Sequence, residues 1–146
     1  MVNIAVLVSG GGTNLQALID AERDGRIKNG RLSLVLSSSP DAYALERASA
    51  AGIESCVVPR KNYKNRRAFT EAILAELQKR DIGLVVLAGF LYILSPVFTL
   101  IYENRVINVH PSLIPAFCAD GFYGLRVHER VLEYGVQLTG ATVHFV

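Results

Sequence analysis

Short apolar runs alternate with helix-like segments along the whole chain. The strand-like runs cover residues 2–8, 32–36, 53–58, 84–88, 106–109 and 138–146, and helical patterns or helix start signals separate most of them. Strands and helices that alternate at this spacing favour parallel pairing with right-handed crossovers. The sequence therefore predicts a doubly wound α/β fold with an open, mostly parallel, Rossmann-like sheet, in a single domain over residues 1–146.

Two helix boundaries have specific residue signals. Gly52 follows the helical pattern of residues 42–51 and predicts a helix end, because glycine readily adopts the left-handed conformation found there. Ser95 and Pro96 predict the start of another short helix, with the serine as its cap and the proline at its first position.

Composition and charge limit the class of function. Of the 146 residues, 51% are hydrophobic and the formal net charge is only +2, so a folded domain is expected and nucleic acid is not expected as its main partner. No apolar run approaches the ~20 residues that span a bilayer, and no signal-peptide pattern opens the chain, so a cytoplasmic location is expected. Cys56 and Cys118 lack any paired metal spacing, and we expect free thiols and no metal site.

A glycine-rich turn follows the first predicted strand. It reads SGGGTN over residues 9–14, and a helix is predicted to begin directly after it. Glycines let a backbone approach a ligand closely, and the N–H groups at a helix start attract anions. The turn lacks the lysine of a Walker loop and the third glycine of a dinucleotide fingerprint. These residues alone leave two interpretations open, a phosphate site or a merely tight turn.

An apolar stretch follows the fourth predicted strand. Residues 88–94 read AGFLYIL, and the glycine gives this stretch flexibility. Such a stretch can line a pocket for a flat heterocycle, although taken alone it more often belongs to the core.

Polar residues with catalytic potential end the fifth predicted strand. Asn108 and His110 are two residues apart, so both side chains leave the same face of an extended strand. A histidine can transfer protons near neutral pH, and an asparagine amide can donate a hydrogen bond to a developing oxyanion. The pair suggests acyl or formyl transfer without a covalent intermediate. His128 and His144 are weaker candidates, because a histidine inside a predicted helix or strand often has only a packing role.

Four ordered blocks resemble phosphoribosylglycinamide formyltransferase, and the resemblance covers essentially the whole chain. The blocks are VSGGGTNLQ at 8–16, VLAGFLYILSP at 86–96, INVHPSLIP at 107–115 and TGATVHFV at 139–146. The resemblance implies a folate-dependent enzyme of purine synthesis. Such an enzyme transfers a formyl group from 10-formyltetrahydrofolate to the amino group of glycinamide ribonucleotide through a tetrahedral intermediate. It also implies small-molecule partners only, in a monomer or a homodimer.

The same resemblance implies roles for individual residues. The substrate phosphate would lie on Gly12, Thr13 and Asn14. The folate would contact Arg66, Asn108 and an apolar strip that consists of Leu91, Tyr92, Ile93 and Leu94. His110 would be the catalytic acid, and together with Asn108 it would stabilise the oxyanion.

The chain departs from the family pattern in two places. The family continues beyond the HFV strand into a loop whose aspartate pairs with the catalytic histidine and favours its protonated form, whereas this sequence stops at Val146. We therefore expect a chain that lacks the family's C-terminal segment and shows little or no turnover by itself.

Residues 124–128 read GLRVH where many relatives carry Gly-Leu-His-x-His, and residues 118–123 form a longer segment than in some members. The resemblance therefore implies no ligand contacts for these two segments.

Other classes of function remain open on the sequence. A formyltetrahydrofolate hydrolase or a methionyl-tRNA formyltransferase could use the same Asn108 and His110, although the tRNA enzyme would need a larger basic surface. A non-catalytic module could keep the glycine turn for a phosphorylated ligand without the chemistry. The glycine turn itself favours a small phosphorylated acceptor.

Overall fold

A computed structural model describes residues 1–118 and 125–146 of the chain. The strands are β1 (Val2–Val8), β2 (Gly30–Ser37), β3 (Ser55–Val57), β4 (Leu84–Leu87), β5 (Val106–His110) and β6 (Thr142–Phe145). The helices are α1 (Thr13–Arg23), α2 (Ala44–Ala50), α3 (Arg66–Gln78), α4 (Pro96–Ile101) and α5 (Leu125–Glu133), and a 3₁₀ turn covers Arg60–Asn62.

These strands form one sheet in the order β3-β2-β1-β4-β5-β6. The first five strands are mutually parallel, which confirms the predicted doubly wound α/β fold. β6 runs antiparallel to β5 and is shorter than the predicted run of residues 138–146. A helix still precedes β6, so the alternation of strands and helices along the sequence gave no sign of this reversal.

The core lies on both faces of the sheet, and β1 shows why its sequence is almost entirely apolar. Ala5 and Leu7 point into the layer beneath α3 and α4, while Val6 and Val8 point into the layer beneath α1 and α2. These side chains are removed from water, and full burial of a larger one such as Leu7 or Val6 contributes about 1.5–3 kcal/mol. The larger buried contributors from the helices are Leu15, Ile19, Phe69, Ile73, Leu77 and Phe98.

The two predicted helix boundaries have different outcomes. Gly52 follows α2 with φ of +69°, and the N–H of Ile53 donates to the carbonyl of Ala48, so the predicted helix end is confirmed. Ser95 is the N-cap residue of α4 and Pro96 is its first residue, as predicted, but the serine hydroxyl makes no capping hydrogen bond. The N–H of Phe98 donates to the backbone carbonyl of Ser95 instead, which removes the need for the hydroxyl.

A small ionic network joins α3 to the segment before β3. Arg80 pairs with Glu76 and with Glu54, each at 2.7 Å, and the side chains of Arg80 and Glu76 are 21% and 24% exposed. Hydrogen bonds from Lys79 and Arg80 hold the pKa of Glu76 below its ordinary value. A carboxyl with a lowered pKa in the folded state stabilises the fold at neutral pH, and this stabilisation is lost as the pH falls through its folded pKa.

We expect Glu76→Gln to lower the free energy of unfolding by about 1 kcal/mol at pH 7, since it removes hydrogen bonds to a charged group. Because that contribution requires the ionised carboxylate, the difference from the unsubstituted protein should be smaller at pH 3 than at pH 7, since pH 3 lies below the ordinary glutamate pKa of about 4.3. Urea denaturation at the two pH values measures both quantities. Glu71→Gln is the matched control, because Glu71 forms a more exposed pair with Arg67 on the same helix. An equal loss for Glu76→Gln at pH 7 and at pH 3 would contradict this assignment.

Candidate functional site

The segments that follow β1, β2 and β4 meet at one edge of the sheet through a single hydroxyl. Ser9 Oγ accepts a hydrogen bond from the N–H of Leu91 at 3.0 Å and lies 2.7 Å from Ser38 Oγ. Residue 9 begins the glycine turn, and residue 91 begins the apolar strip. The edge where ligands bind in sheets of this kind therefore holds the two predicted ligand sites side by side.

The three glycines of the turn differ in what the surrounding protein requires of them. Gly12 has φ of +74°, and a Cβ built on it would lie 2.7 Å from Ala44 Cβ, so the fold itself requires glycine there. Gly10 and Gly11 have no such requirement, because a built Cβ on either would meet nothing within 4 Å of the described residues. Their missing side chains leave open space on the outer side of the turn.

We expect Gly12→Ala to lower the free energy of unfolding by about 2 kcal/mol or more. The substitution places an alanine in the left-handed region, which costs about 1–2 kcal/mol, and pushes its methyl group into Ala44. Gly10→Ala is the control within the same turn and should change the stability by less than about 0.5 kcal/mol. Urea denaturation compares the two proteins, and equal losses would contradict the distinction drawn between these glycines.

The start of α1 offers backbone donors beside this open space. Gly12 is its N-cap residue and makes no side-chain capping bond, while its carbonyl accepts the N–H of Gln16 at 2.9 Å. The first N–H groups of a helix have no partner within the helix and carry a partial positive charge. Thr13 and Asn14 are both exposed at this point. The arrangement suits a bound anion.

An apolar cavity of about 290 Å³ lies beside the strip formed by residues 91–94. Leu91, Tyr92 and Ile93 are 58%, 41% and 68% exposed, so these three residues do not belong to the core. Phe90 stacks on Phe69 with centroids 6.2 Å apart and forms the base of the strip. The cavity residues are Leu87, Phe90, Leu91, Tyr92, Ile93, Leu94, Phe98, Thr99, Val106, Asn108, His144 and Val146.

Asn108 and His144 give this cavity a polar end. They face each other across the β5–β6 pairing, and Asn108 Nδ2 lies 3.3 Å from His144 Nε2. His144 Nδ1 lies 3.0 Å from the carbonyl of Phe145, which can only accept, so Nδ1 carries a proton. In a neutral ring Nε2 then accepts from the Asn108 amide, and the amide nitrogen is held in the cavity wall.

His110 lies two residues beyond Asn108 at the end of β5 but does not line the cavity. Its Nε2 lies 2.8 Å from the carbonyl of Phe117, so this nitrogen carries a proton and donates it. Thr142 fixes the intervening loop, because its hydroxyl donates to the Ser112 carbonyl and accepts from the N–H of Ile114. The half-buried ring of His110 is therefore fixed at the same sheet edge by its hydrogen bond to Phe117.

Arg66 lies apart from the cavity lining. It is the first residue of α3 and is exposed, three residues before Phe69, whose ring contacts Tyr92 with centroids 5.6 Å apart. The helix that begins at Arg66 therefore packs against Tyr92 of the apolar strip.

The remaining candidates are two cysteines and two residues of α5. Burial raises the pKa of the Cys56 thiol to about 11, which leaves it a poor nucleophile, and Cys118 is an exposed free thiol. Arg126 and His128 lie on α5. Residues 119–124, where the sequence differs from the family pattern, fall outside the described residues. Within residues 1–118 and 125–146 no group of three His, Cys, Asp or Glu side chains could hold a metal ion, and no helix is long and apolar enough to cross a membrane.

His144 and Ser9 are the site residues that sequence reasoning undervalued. His144 meets Asn108 only because of the β5–β6 register, and a slip of one residue would turn its side chain to the other face. The sequence indicates only that Ser9 belongs to a turn, whereas in the structure its hydroxyl joins three strand ends. A serine beside a glycine turn was a signal for a backbone-bonding hydroxyl, but the sequence could not identify its partners.

Comparison with known proteins connects this geometry to one family. The family profile described as formyl transferase matches residues 2–146. A phosphoribosylglycinamide formyltransferase of Haemophilus influenzae is 43% identical over 146 residues, which cover all of this chain and 66% of the relative. The trifunctional purine biosynthetic protein adenosine-3 of Homo sapiens is 43% identical over 143 residues, which cover 98% of this chain and 14% of that protein.

A solved structure gives the same result for the fold. The crystal structure of glycinamide ribonucleotide transformylase 1 from Symbiobacterium toebii has a TM-score of 0.90 and 44% identity, and the match covers all of this chain and 66% of that one. The chain thus spans just under two thirds of the length of these two bacterial relatives.

Proposed function

The chain belongs to the formyl transferase family, and on that premise we propose that it transfers a formyl group from 10-formyltetrahydrofolate to the amino group of glycinamide ribonucleotide. The names of the relatives support this choice of reaction. The observation that carries the proposal is the Asn108–His144 pair at the polar end of an apolar cavity. The hydroxyl of Ser9 joins the lining of this cavity to a glycine turn that suits an anion.

We assign the phosphate of the acceptor to Gly12, Thr13 and Asn14. The open space beside Gly10 and Gly11 and the start of α1, which has no side-chain cap, support this assignment, because the first N–H groups of a helix can donate to an anion. An anion at this position also interacts favourably with the helix dipole.

We assign the folate to the apolar strip of residues 91–94 and to Asn108. A flat heterocycle fits an apolar cavity of this volume whose wall offers few polar groups. Arg66, exposed at the start of α3, would meet a carboxylate at the outer end of the strip. The folate supplies an activated formyl group when it is bound.

The reacting groups then have definite roles. The acceptor amine adds to the formyl carbon, and the bond from that carbon to the folate nitrogen breaks. Negative charge develops on the formyl oxygen, to which Asn108 Nδ2 donates a hydrogen bond. The amine loses a proton and the departing nitrogen gains one, and His110 is the residue assigned to this proton transfer. Holding both ligands at one sheet edge supplies the proximity that the addition requires.

The test uses a lengthened form, in which the 146 residues are joined to the part of the Haemophilus influenzae relative that lies beyond the matched region. Mass spectrometry follows both substrates, and we expect formylated glycinamide ribonucleotide in equal amount to tetrahydrofolate. Formate without a formylated amine would indicate a hydrolase instead. A melting temperature raised by glycinamide ribonucleotide without any transfer would indicate a binding module. Little turnover is expected of the 146 residues alone, and a rate equal to that of the lengthened form would contradict this expectation.

We expect His144→Leu to lower kcat of the lengthened form about fivefold. The substitution removes the acceptor that orients the Asn108 amide, and one hydrogen bond of this kind contributes about 1 kcal/mol. His144→Gln offers an amide oxygen to the same donor and should restore most of the rate, while KM for the folate should change less than kcat. Equal losses in the two variants would show that His144 does not act through Asn108.

A further inference from the structure

Arg47 of α2 holds the glycine turn from behind, on the side away from the apolar strip. We propose that Arg47 is a positioning residue for the phosphate site, and that its guanidinium fixes the Gly11–Gly12 peptide so that the N–H of Gly12 faces the phosphate. The inference rests on the proposed function, because it takes the glycine turn to be the site of the acceptor's phosphate.

The guanidinium of Arg47 is held by three contacts. Its Nε donates to the carbonyl of Gly11 at 2.8 Å, and its Nη1 donates to Gln16 Oε1 on α1 at 3.1 Å. The face of the guanidinium lies over the ring of Tyr43, 5.0 Å from the centroid. Because the planar fork has partners on both the turn and α1, it fixes the position of one relative to the other.

The planarity of the peptide bond turns these contacts into an orientation of the donors. In a trans peptide the C=O and the next N–H point in opposite directions. The Gly10 carbonyl accepts the N–H of Ala44 at 3.1 Å, and the Gly11 carbonyl accepts Arg47 Nε, so both carbonyls point toward α2. The N–H groups of Gly11 and Gly12 therefore point away from α2. A charged donor on the Gly11 carbonyl also polarises that peptide and strengthens the Gly12 N–H as a donor.

The surroundings of Arg47 argue against direct contact with the phosphate from the groove between α1 and α2. That groove contains Glu22, and Gln16 at its wall donates to Asp20. The carboxylates of Glu22 and Asp20 offset the charges of Arg47 and Arg23 at this groove, so the groove is unsuited to a phosphate. The charge of Arg47 acts instead through the Gly11 carbonyl.

Isothermal titration calorimetry of the 146-residue chain tests the proposal with two probes, glycinamide ribonucleotide and tetrahydrofolate. We expect Arg47→Met and Arg47→Lys each to weaken binding of the ribonucleotide about tenfold or more, while binding of tetrahydrofolate changes less than twofold. The lysine variant keeps the charge but not the planar fork. Gln16→Leu removes only the second partner of the fork and should give a smaller loss for the ribonucleotide alone.

Arg23→Met is the matched control, because Arg23 lies on the same groove but pairs with Asp20 and does not contact the turn. It should leave both affinities unchanged. Wild-type affinity in Arg47→Lys would overturn the proposal, since the charge alone would then suffice. Parallel loss of both ligands in Arg47→Met, Arg47→Lys and Gln16→Leu would also overturn it, because it would indicate a general structural role. Failure of the unsubstituted chain to bind the ribonucleotide would overturn the phosphate site itself, and the inference with it.

Discussion

Replacing Asn108 with alanine is expected to lower kcat of the lengthened form about 100- to 1000-fold. Asn108 presents its amide nitrogen at the polar end of an otherwise apolar cavity, where water competes weakly for the developing charge. Loss of one such donor from an oxyanion site costs about 10²–10³ in rate. The donor acts mainly in the transition state, so KM for both substrates should change far less than kcat.

The control for this substitution lines the same cavity. Thr99→Ala removes a hydroxyl that donates to the Pro96 carbonyl and so does not require a role at the reacting atoms. It should change kcat by less than about threefold. Steady-state rates with both substrates saturating compare the variants, and a near-normal rate for Asn108→Ala would remove this residue from the mechanism.

Replacing His110 with alanine is expected to lower kcat about 100-fold or more, because general acid–base catalysis contributes about 10²–10⁴. In the structure Nε2 of His110 donates to the Phe117 carbonyl, so the ring is already held beside the end of β5. Pre-steady-state mixing should show that the loss lies in the formyl-transfer step, while both substrates still bind.

His128→Ala is the matched control for His110, since His128 is exposed on α5 and lies outside the proposed machinery. Its rate should stay within about twofold of the unsubstituted protein. Equal effects of the two substitutions would show that histidine loss at this end of the chain disturbs the fold and not the chemistry.

Most of the fold could be predicted because the spacing of apolar residues and the conformational preferences of single residues indicate the same strands and helices. The continuous apolar run of β1 predicts burial on both faces, and Gly52 fixes the end of α2 for a conformational reason. The direction of β6 could not be predicted, because a helix precedes a parallel and an antiparallel strand alike. Ser95 is the N-cap residue of α4 as predicted, but its backbone carbonyl accepts the N–H that its hydroxyl was expected to bind.

The sequence could indicate candidate site residues from the chemistry of their own side chains. It could not indicate which other residues they contact. Asn108 belongs to the cavity that the apolar strip also lines, as the shared sheet edge implied. The partner of Asn108 depends on the register between β5 and β6, and the partner of Gly11 depends on how α2 packs behind the turn. Both are long-range contacts for which a single sequence has no local pattern.

The hydroxyl of Ser9 also bears on the order in which the chain assembles. Its contact with Ser38 closes a loop of 29 residues, whereas its contact with Leu91 closes one of 82 residues. The longer closure costs about 0.9 kcal/mol more in chain entropy, and it also needs β4 to have been synthesised. We therefore expect the contact between Ser9 and Ser38 to form before the bond from Leu91 to Ser9, which joins the glycine turn to the apolar strip.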